Sequence, residues 1–594
     1  MRPLQRWLTP LGLAALFVGL AWAGWRAWMD ALVDFGHELY IPWRLAGGEV
    51  LYRDIAHLYG PLSQYLNAGI FAAAGPGVTA LLWVNLALLA GVTAAAVVLV
   101  RPLGELAAAA CGATLLALFG FAHLTGIGNY SFAAPYSHEA THGIALAALA
   151  LVALAAWARR EGAVGVRWAG LAGLAAGAAL LTRAEVAVAV SAAAGAGAVL
   201  ATAGGRRGLG AFAAGYLAPP LLALAAFATA LPAGDAARAA GGAFAALLGS
   251  DVASGGFFAQ GMGLDDPAGN AAALLRVAGW QLAWLGAALA VDRLTAARGR
   301  AGLVVVAVLA LAQAYALTSG WVRWSSAARP LPLYLGLGLV GVAVAAWRRR
   351  AEPEALRALV VPAAAVTLGL ALLGKMILNA RVPHYGFYLA MPASLVVVAA
   401  LVGWLPERLV GAWGGGWGLR LLALSAALAA CVVHARVSQG NLDKKTAIVG
   451  QGADAMRTYP AAVDPDRAAL GDVVGWLGAN TRPEEAVAVL PEGIMINYLS
   501  RRRNPTPYLS HLPTELAAFG QPAMDQALVE AAPEVVVVFH RDATEWGLPP
   551  FGEDPRFGAA LMGWLRGGYQ PAACLGEDAS LPLGCRALIA RRNP

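Results

Sequence analysis

The sequence predicts an α-helical polytopic membrane protein with a C-terminal α/β domain, and three observations carry that prediction. Of 594 residues, 59% are hydrophobic and only 13% charged, against roughly 25% charged in an ordinary soluble domain. The mean hydropathy is +0.62. Apolar runs recur from position 8 to 433, most of them near the ~18 residues needed to cross roughly 30 Å of hydrocarbon as a helix. After Arg436 the pattern turns to mixed charge, proline and short apolar runs, as in a folded aqueous domain.

The runs suggest about thirteen spans, near 8–28, 78–100, 103–122, 140–157, 167–182, 185–203, 208–231, 273–291, 301–319, 331–347, 358–374, 387–404 and 420–434. With the N-terminus inside, one set of loops collects Arg2, Arg6, Arg101, Arg159, Arg160, Arg206, Arg207, Arg293, Arg298, Arg300, 348–350 and Arg408. That is the positive-inside bias, and an odd number of crossings puts the tail from about 435 outside. The expected arrangement is a multi-pass inner (plasma) membrane protein with a cytoplasmic N-terminus, a membrane domain over 1–434 and an extracytoplasmic domain over 435–594. Ala21-Trp22-Ala23 after an apolar core has signal-peptide character, but the apolar run continues through Trp28, which favours a retained first span. The net charge of +7 lies in short arginine clusters between spans. It is explained by orientation and gives no reason to expect nucleic acid.

Charge on the outer side needs another reason to be there. The first outer loop concentrates Asp34, His37, Glu38, Tyr40, Arg44, Tyr52, Arg53, Asp54, His57, Tyr59 and Tyr65. Helical spacing over 38–45 and 61–71 predicts two short helices lying in the interface, with Asp34 and Asp54 near the headgroups. Asp34 is placed to accept the proton of an attacking hydroxyl; the alternative is a carboxylate that caps the helix.

An acid directly after the first span, followed by Tyr52-Arg53-Asp54 and Tyr59-Gly60-Pro61-Leu62, resembles the membrane-embedded glycosyltransferases of the GT-C class. Within that class the chain is similar to the RgtA/B/C/D-like, aminoarabinose-transferase and protein O-mannosyltransferase group. The resemblance implies a multi-span enzyme that uses a polyprenyl-phosphate sugar, with Asp34 as the base and Asp54 as second acid. Glu38 joins the catalytic candidates, but it follows Asp34 by four positions where the O-mannosyltransferases have an adjacent Asp-Glu pair, so its role is open.

Other outer segments fit the same expectation. Residues 129–139 offer Tyr136 and His138 beside Glu139, and Arg183 with Glu185 forms an ionisable pair at membrane depth. Lys375, Arg381, His384 and Tyr385 run against the positive-inside trend, and a lipid phosphate would explain the cations, since arginine binds phosphate oxygens bidentately and lysine adds a compact charge. Trp321, Arg323, Trp324 and Arg329 suggest an interfacial belt. The donor-phosphate candidates are therefore Lys375, Arg381, Arg44, Arg53 and Arg183. The candidates for contacting the rest of the substrate are His57, Tyr59, Tyr136, His138, His384 and Tyr385.

The reaction expected is inverting transfer of a hexosyl or pentosyl group to a lipid, glycan or protein acceptor, through an oxocarbenium-like transition state, with cations stabilising the leaving phosphate. Such a donor carries its own activation, so no cofactor is required. No Walker-type loop is present, and a divalent cation at Asp34, Asp54 or a histidine is left open, because no ligand spacing demands one.

In the tail, 469–477 and 493–499 read as helices and 486–490, 534–539 and 587–590 as strands, which suggests a small domain with a mainly parallel sheet. Polar loops at 491–493, 501–503 and 540–542 follow those elements, where open α/β sheets bind ligands. Cys574 and Cys585 would form a disulfide if the tail is outside, or stand as two free thiols. Two rival functions remain: a transporter or flippase of lipid-linked sugars, which would bury charges near the midplane, and a non-catalytic scaffold of envelope assembly.

Overall fold

The computed structural model describes residues 5–203, 205–244, 256–322 and 324–594; Arg2, the Arg6 side chain and Arg323 lie outside them. In hydrocarbon a backbone amide can pair only with its own chain or a closed sheet, so long Ala-, Leu- and Val-rich segments have to become helices. The first nine that matter here are α1 (Gln5–Ala23), α2 (His37–Ala46), α3 (Leu62–Ala74), α4 (Val78–Val100), α5 (Glu105–Thr114), α6 (His138–Arg159), α7 (Gly162–Ala179), α8 (Ala184–Ala201) and α9 (Leu209–Phe227). A helix occupies each apolar run named above. Among the described residues, 10 helical stretches are long and apolar enough to cross a membrane, from Val78–Leu103 to Trp417–Leu442. Trp7–Ala23 and Glu105–Gly120 are shorter, and α7 is not among the ten, so length and apolarity do not by themselves reach thirteen spans.

Small residues set how closely these helices approach. On α7, a Cβ at Gly173 would stand 2.0 Å from the Phe212 carbonyl oxygen, and one at Gly177 would stand 2.1 Å from that of Tyr216 on α9. The four-residue spacing of the two glycines gives α7 and α9 backbone-to-backbone contact, the arrangement that replaces hydrophobic driving force inside a bilayer.

The helices α2 and α3 form where the spacing predicts them, but α2 does not lie open on the interface. Glu38, Leu39, Tyr40, Ile41, Pro42 and Leu45 are all buried. The Asn504 amide donates to Tyr40 Oη at 2.8 Å, and Gly36 lies so close to the helix Ile494–Ser500 that a Cβ there would be 2.5 Å from the Met495 nitrogen. This first loop is therefore held between the bundle and the C-terminal domain.

The last long helix, Trp417–Leu442, leads directly into that domain. A two-stranded ribbon of β1 (Ala447–Val449) and β2 (Met456–Thr458) precedes a sheet of β3 (Val487–Leu490), β4 (Val535–Phe539), β5 (Tyr569–Glu577) and β6 (Cys585–Arg592), in the order β3-β4-β6-β5. Residues alternate across β3 and β4: Val487, Val489, Val535 and Val537 join the large core shared with the bundle, while Ala488, Leu490, Val536 and Val538 join a second core. Burial on both faces accounts for the unbroken Val535–Phe539 run.

The sheet is not mainly parallel. Only β3 and β4 run parallel; β4 with β6 and β6 with β5 are antiparallel. The cause is β5, whose Gln570, Pro571 and Glu577 hide it as a strand in the sequence and which makes a hairpin with β6. Cys574 and Cys585 are joined in a disulfide across that hairpin.

Candidate active site

The segment after α1 ends with two aspartates whose surroundings differ completely. Asp30 is fully tied down: Oδ1 accepts from the Leu32 and Val33 amides at 2.9 and 3.0 Å, and Oδ2 from Arg467 Nε at 2.7 Å. These donors and the nearby Lys445 outweigh burial and hold its carboxyl below the usual range. From the other side Asn129 clamps the turn, accepting from the Asp30 amide and donating to the Val33 carbonyl, each at 2.6 Å.

Asp34 is presented at the end of that clamped turn with a left-handed backbone, φ 57°, a conformation that aspartate adopts more readily than most residues. Its amide donates to Glu492 Oε1 at 3.1 Å. Its half-buried carboxylate accepts no hydrogen bond from the described residues. Burial first, and then the carboxylates of Glu492 and Glu515, push this carboxyl well above the usual range, against a smaller opposing pull from Arg541. Glu492 follows β3 and Arg541 follows β4, and the two are paired at 2.7 Å. Glu515, on the short helix Pro513–Phe519, is lifted by burial to about 7. The ends of the strands thus face the first loop.

A second group of side chains lies in electrostatic reach of the first. Gly60 packs against the turn before α8: its amide donates to the Thr182 carbonyl at 2.8 Å and Leu62 N to that of Leu181 at 3.0 Å. A Cβ at Gly60 would lie 2.2 Å from Leu181. This contact sets Tyr59 over Arg183, whose Cζ is 4.1 Å from the ring centroid, with Tyr136 at 5.2 Å. Glu185 Oε1 accepts from Arg183 Nε at 2.8 Å, Lys375 Nζ at 2.9 Å and Tyr388 Oη at 2.8 Å. Among the described residues, Arg183 Nη1 and Arg381 Nε are buried without a hydrogen-bond partner.

The His384 ring packs at a tilt against Tyr130 and Tyr385, with centroids 4.3 and 3.8 Å away. Burial and the adjacent Arg381 and Lys375 lower it to about 3, so it stands as a neutral imidazole. The charges of Asp34 and Glu515 act on Tyr59, and that of Asp34 acts on Tyr130 and Tyr385. Asp34, Tyr59, Tyr136, Arg183, Lys375, Arg381, His384 and Tyr385 accordingly belong to one neighbourhood.

The remaining candidates from the sequence have other partners. Asp54 is bonded to Arg53 at 2.7 Å and to the Val50 amide at 2.7 Å, and it is not among the charges acting on Asp34. Arg44 is held by Glu49 at 2.5 Å, a carboxylate it shares with Arg503 at 3.3 Å. Glu38 turns into the bundle, where it bonds to the His138 ring and accepts from the His138 amide at 3.1 Å. Burial and Glu139 push its carboxyl well up. His138 Nε2 meets Asn85 Oδ1 at 3.0 Å, and His57 Nε2 meets Glu139 Oε1 at 3.1 Å. Glu38, His57, His138 and Glu139 thus form a buried polar network behind the site.

No family model matches the chain, and no curated protein matches it. Similar solved structures include the Archaeoglobus fulgidus oligosaccharyltransferase in complex with Zn and sulfate, at 14% identity and TM-score 0.49, covering 96% of this chain and 79% of that one. ArnT from Cupriavidus metallidurans bound to undecaprenyl phosphate gives 13% identity and TM-score 0.44, with 98% of each chain covered. The apo state of the same protein gives TM-score 0.40 at 13% identity, again over 98% of each chain. None reaches 0.5, so these likenesses assign neither a family nor a reaction to this chain.

Glu492, Glu515, Arg541 and Tyr388 were not candidates from the sequence. Glu515 carried no signal there, being an ordinary acid at the start of a short helix. Glu492 and Arg541 did carry one, since both stand in polar loops following strands. Among the described residues no group of three or more His, Cys, Asp or Glu side chains is arranged to hold a metal ion.

Proposed function

We propose that the chain is an inverting glycosyltransferase that moves a sugar from a polyprenyl-phosphate donor to an acceptor hydroxyl. The reading is supported by Asp34, a carboxylate that accepts no hydrogen bond from the described residues and whose charge acts on Tyr59 and Tyr385, rings that stand 4.1 Å from Arg183 and 5.7 Å from Lys375, two cations that share the single carboxylate Glu185. Asp34 takes the proton of the acceptor hydroxyl as its oxygen attacks the anomeric carbon. The carbon–oxygen bond to the phosphate breaks on the opposite face, and Arg183, Lys375 and Arg381 stabilise the departing phosphate anion. Tyr59, Tyr136 and Tyr385 wall the sugar. Glu38 and Asp54 take structural roles in this reading, and Arg44 and Arg53 are not needed for the donor.

The same reading divides the chain near 434/435 into a catalytic membrane portion and a domain that closes over it. It places the arginine-rich loops in the cytoplasm and the site on the outer face of the inner membrane. A flippase would call for charges in the middle of spans, whereas Arg183 and Glu185 stand at the start of α8 and Asp34 stands before α2.

The test is binding of undecaprenyl phosphate to the detergent-solubilised chain, read by native mass spectrometry. Arg183→Gln with Arg381→Gln should weaken it at least about tenfold, the scale of losing charge-assisted hydrogen bonds. Asp34→Asn should bind like the wild type yet lose turnover, and Arg53→Gln should change neither. Equal binding by the double variant and the wild type would sink the assignment of the phosphate site.

A further inference from the structure

At the end of the bundle opposite Asp34 there is a different concavity. The polarity of the helices places it: α4 starts beside the C-terminal domain, where Val78 N donates to Asp454 at 3.2 Å, and α6 starts at His138 behind the active site. Their last turns, with the first turns of α7, enclose a cavity of about 230 Å³. Its walls are apolar, from Val98, Leu99 and Val152 together with alanines of α6, and its mouth carries Arg159, Arg160 and Trp168. The Arg160 guanidinium stands 5.7 Å from the Trp168 ring centroid.

Charge balance around this mouth is incomplete. Arg101 is paired with Glu105 at 2.6 Å, and Arg357 takes Glu161 at 3.4 Å. Among the described residues neither Arg159 nor Arg160 has an acidic partner. Two unneutralised guanidinium groups beside an indole, above an apolar slot that opens at the end of membrane-spanning helices, match a phosphate attached to hydrocarbon and not a soluble anion. Arginine supplies the paired donors that phosphate oxygens take, tryptophan belongs at the level of the headgroups, and basic pockets between spans at this depth suit acidic lipids.

We infer that the α4–α6–α7 cavity is a binding site for one anionic phospholipid, its phosphate on Arg159 and Arg160 and its glycerol and upper acyl chain against Val98, Leu99 and Val152. The inference is independent of the reaction assigned to Asp34.

The experiment is native mass spectrometry of the full chain, exchanged into detergent with equal amounts of dioleoyl phosphatidylglycerol and dioleoyl phosphatidylethanolamine. One phosphatidylglycerol per chain should be retained, preferred by about tenfold over the zwitterionic lipid. Arg159→Gln with Arg160→Gln should reduce it to the zwitterionic level, whereas Arg349→Gln with Arg350→Gln, an equal loss of charge at the same end of the bundle, should leave it unchanged. Because removing two positive charges can disturb insertion, Trp168→Ala is the second variant: it keeps both charges and should still weaken retention. Equal retention of the two lipids, or equal loss in the Arg349/Arg350 pair, would overturn the site. Displacement of the lipid by inorganic phosphate alone would overturn it as a lipid site and leave a free-phosphate site.

Discussion

A carboxylate that accepts no hydrogen bond and faces two further carboxylates holds its proton more tightly than one in water. For Asp34 the causes are burial, Glu492 and Glu515, in that order. A base works only when deprotonated, so the rate should rise with pH through an acid limb lying well above the ordinary aspartate range. Replacing Glu515 by Gln removes one of the repelling charges. The limb should then move to lower pH, with the plateau rate changed much less. A pH–rate profile of the variant that superimposes on the wild type would show that Glu515 does not act on the base. The same comparison separates Asp34 from Asp30: Asp30 is held low by its donors and by Arg467, and it has no proton to exchange near neutral pH.

Among the elements, α7 and α9 depend most directly on what a residue lacks. Gly177 sits where a Cβ would lie 2.1 Å from the Tyr216 carbonyl oxygen, so Gly177→Leu should force the two helices apart and cost about 1–3 kcal/mol or more, the usual scale of overpacking. A thermal unfolding scan in detergent is the check, with Gly195→Leu, where nothing lies within 4 Å, as the silent comparison. The long apolar helices were legible in the sequence because hydrocarbon leaves the backbone no alternative. So were α2 and α3, through their spacing, and Lys375 and Arg381 stood out because they ran against the positive-inside trend. Other features were not legible. β5 alternates too weakly to announce a strand, and without it the sheet reads as parallel. Glu515 reaches Asp34 only through the fold, with nothing local to mark it. Asp54 was singled out through the resemblance alone, and in the fold it pairs with Arg53.

On the scale of the whole molecule, the membrane portion and the C-terminal domain are joined through buried charge and not only through apolar surface. Lys445 donates to the carbonyls of Ala27 and Met29, both at 2.8 Å, and Asp30 pairs with Arg467 at 2.7 Å. Asp30 is fully buried, with 0% of its side chain exposed. Taking away Arg467 leaves a charge with less than its compensation, and Arg467→Met should lower stability by about 3–5 kcal/mol. Asp30→Asn in the same chain should recover part of that loss. If the double variant unfolds no later than the single one, the pair is not what joins the two halves.

The bond from the Asp34 amide to Glu492 spans 458 positions of sequence. A ribosome adds about 5–20 residues each second, so on the order of 20–90 s pass between making the aspartate and making the glutamate that seats it. During that interval the first loop exists, but its carboxylate lacks the neighbours that tune it. The groups that raise the Asp34 carboxyl are therefore the last to be made, and they reach it only when the last fifth of the polypeptide has folded back onto the first.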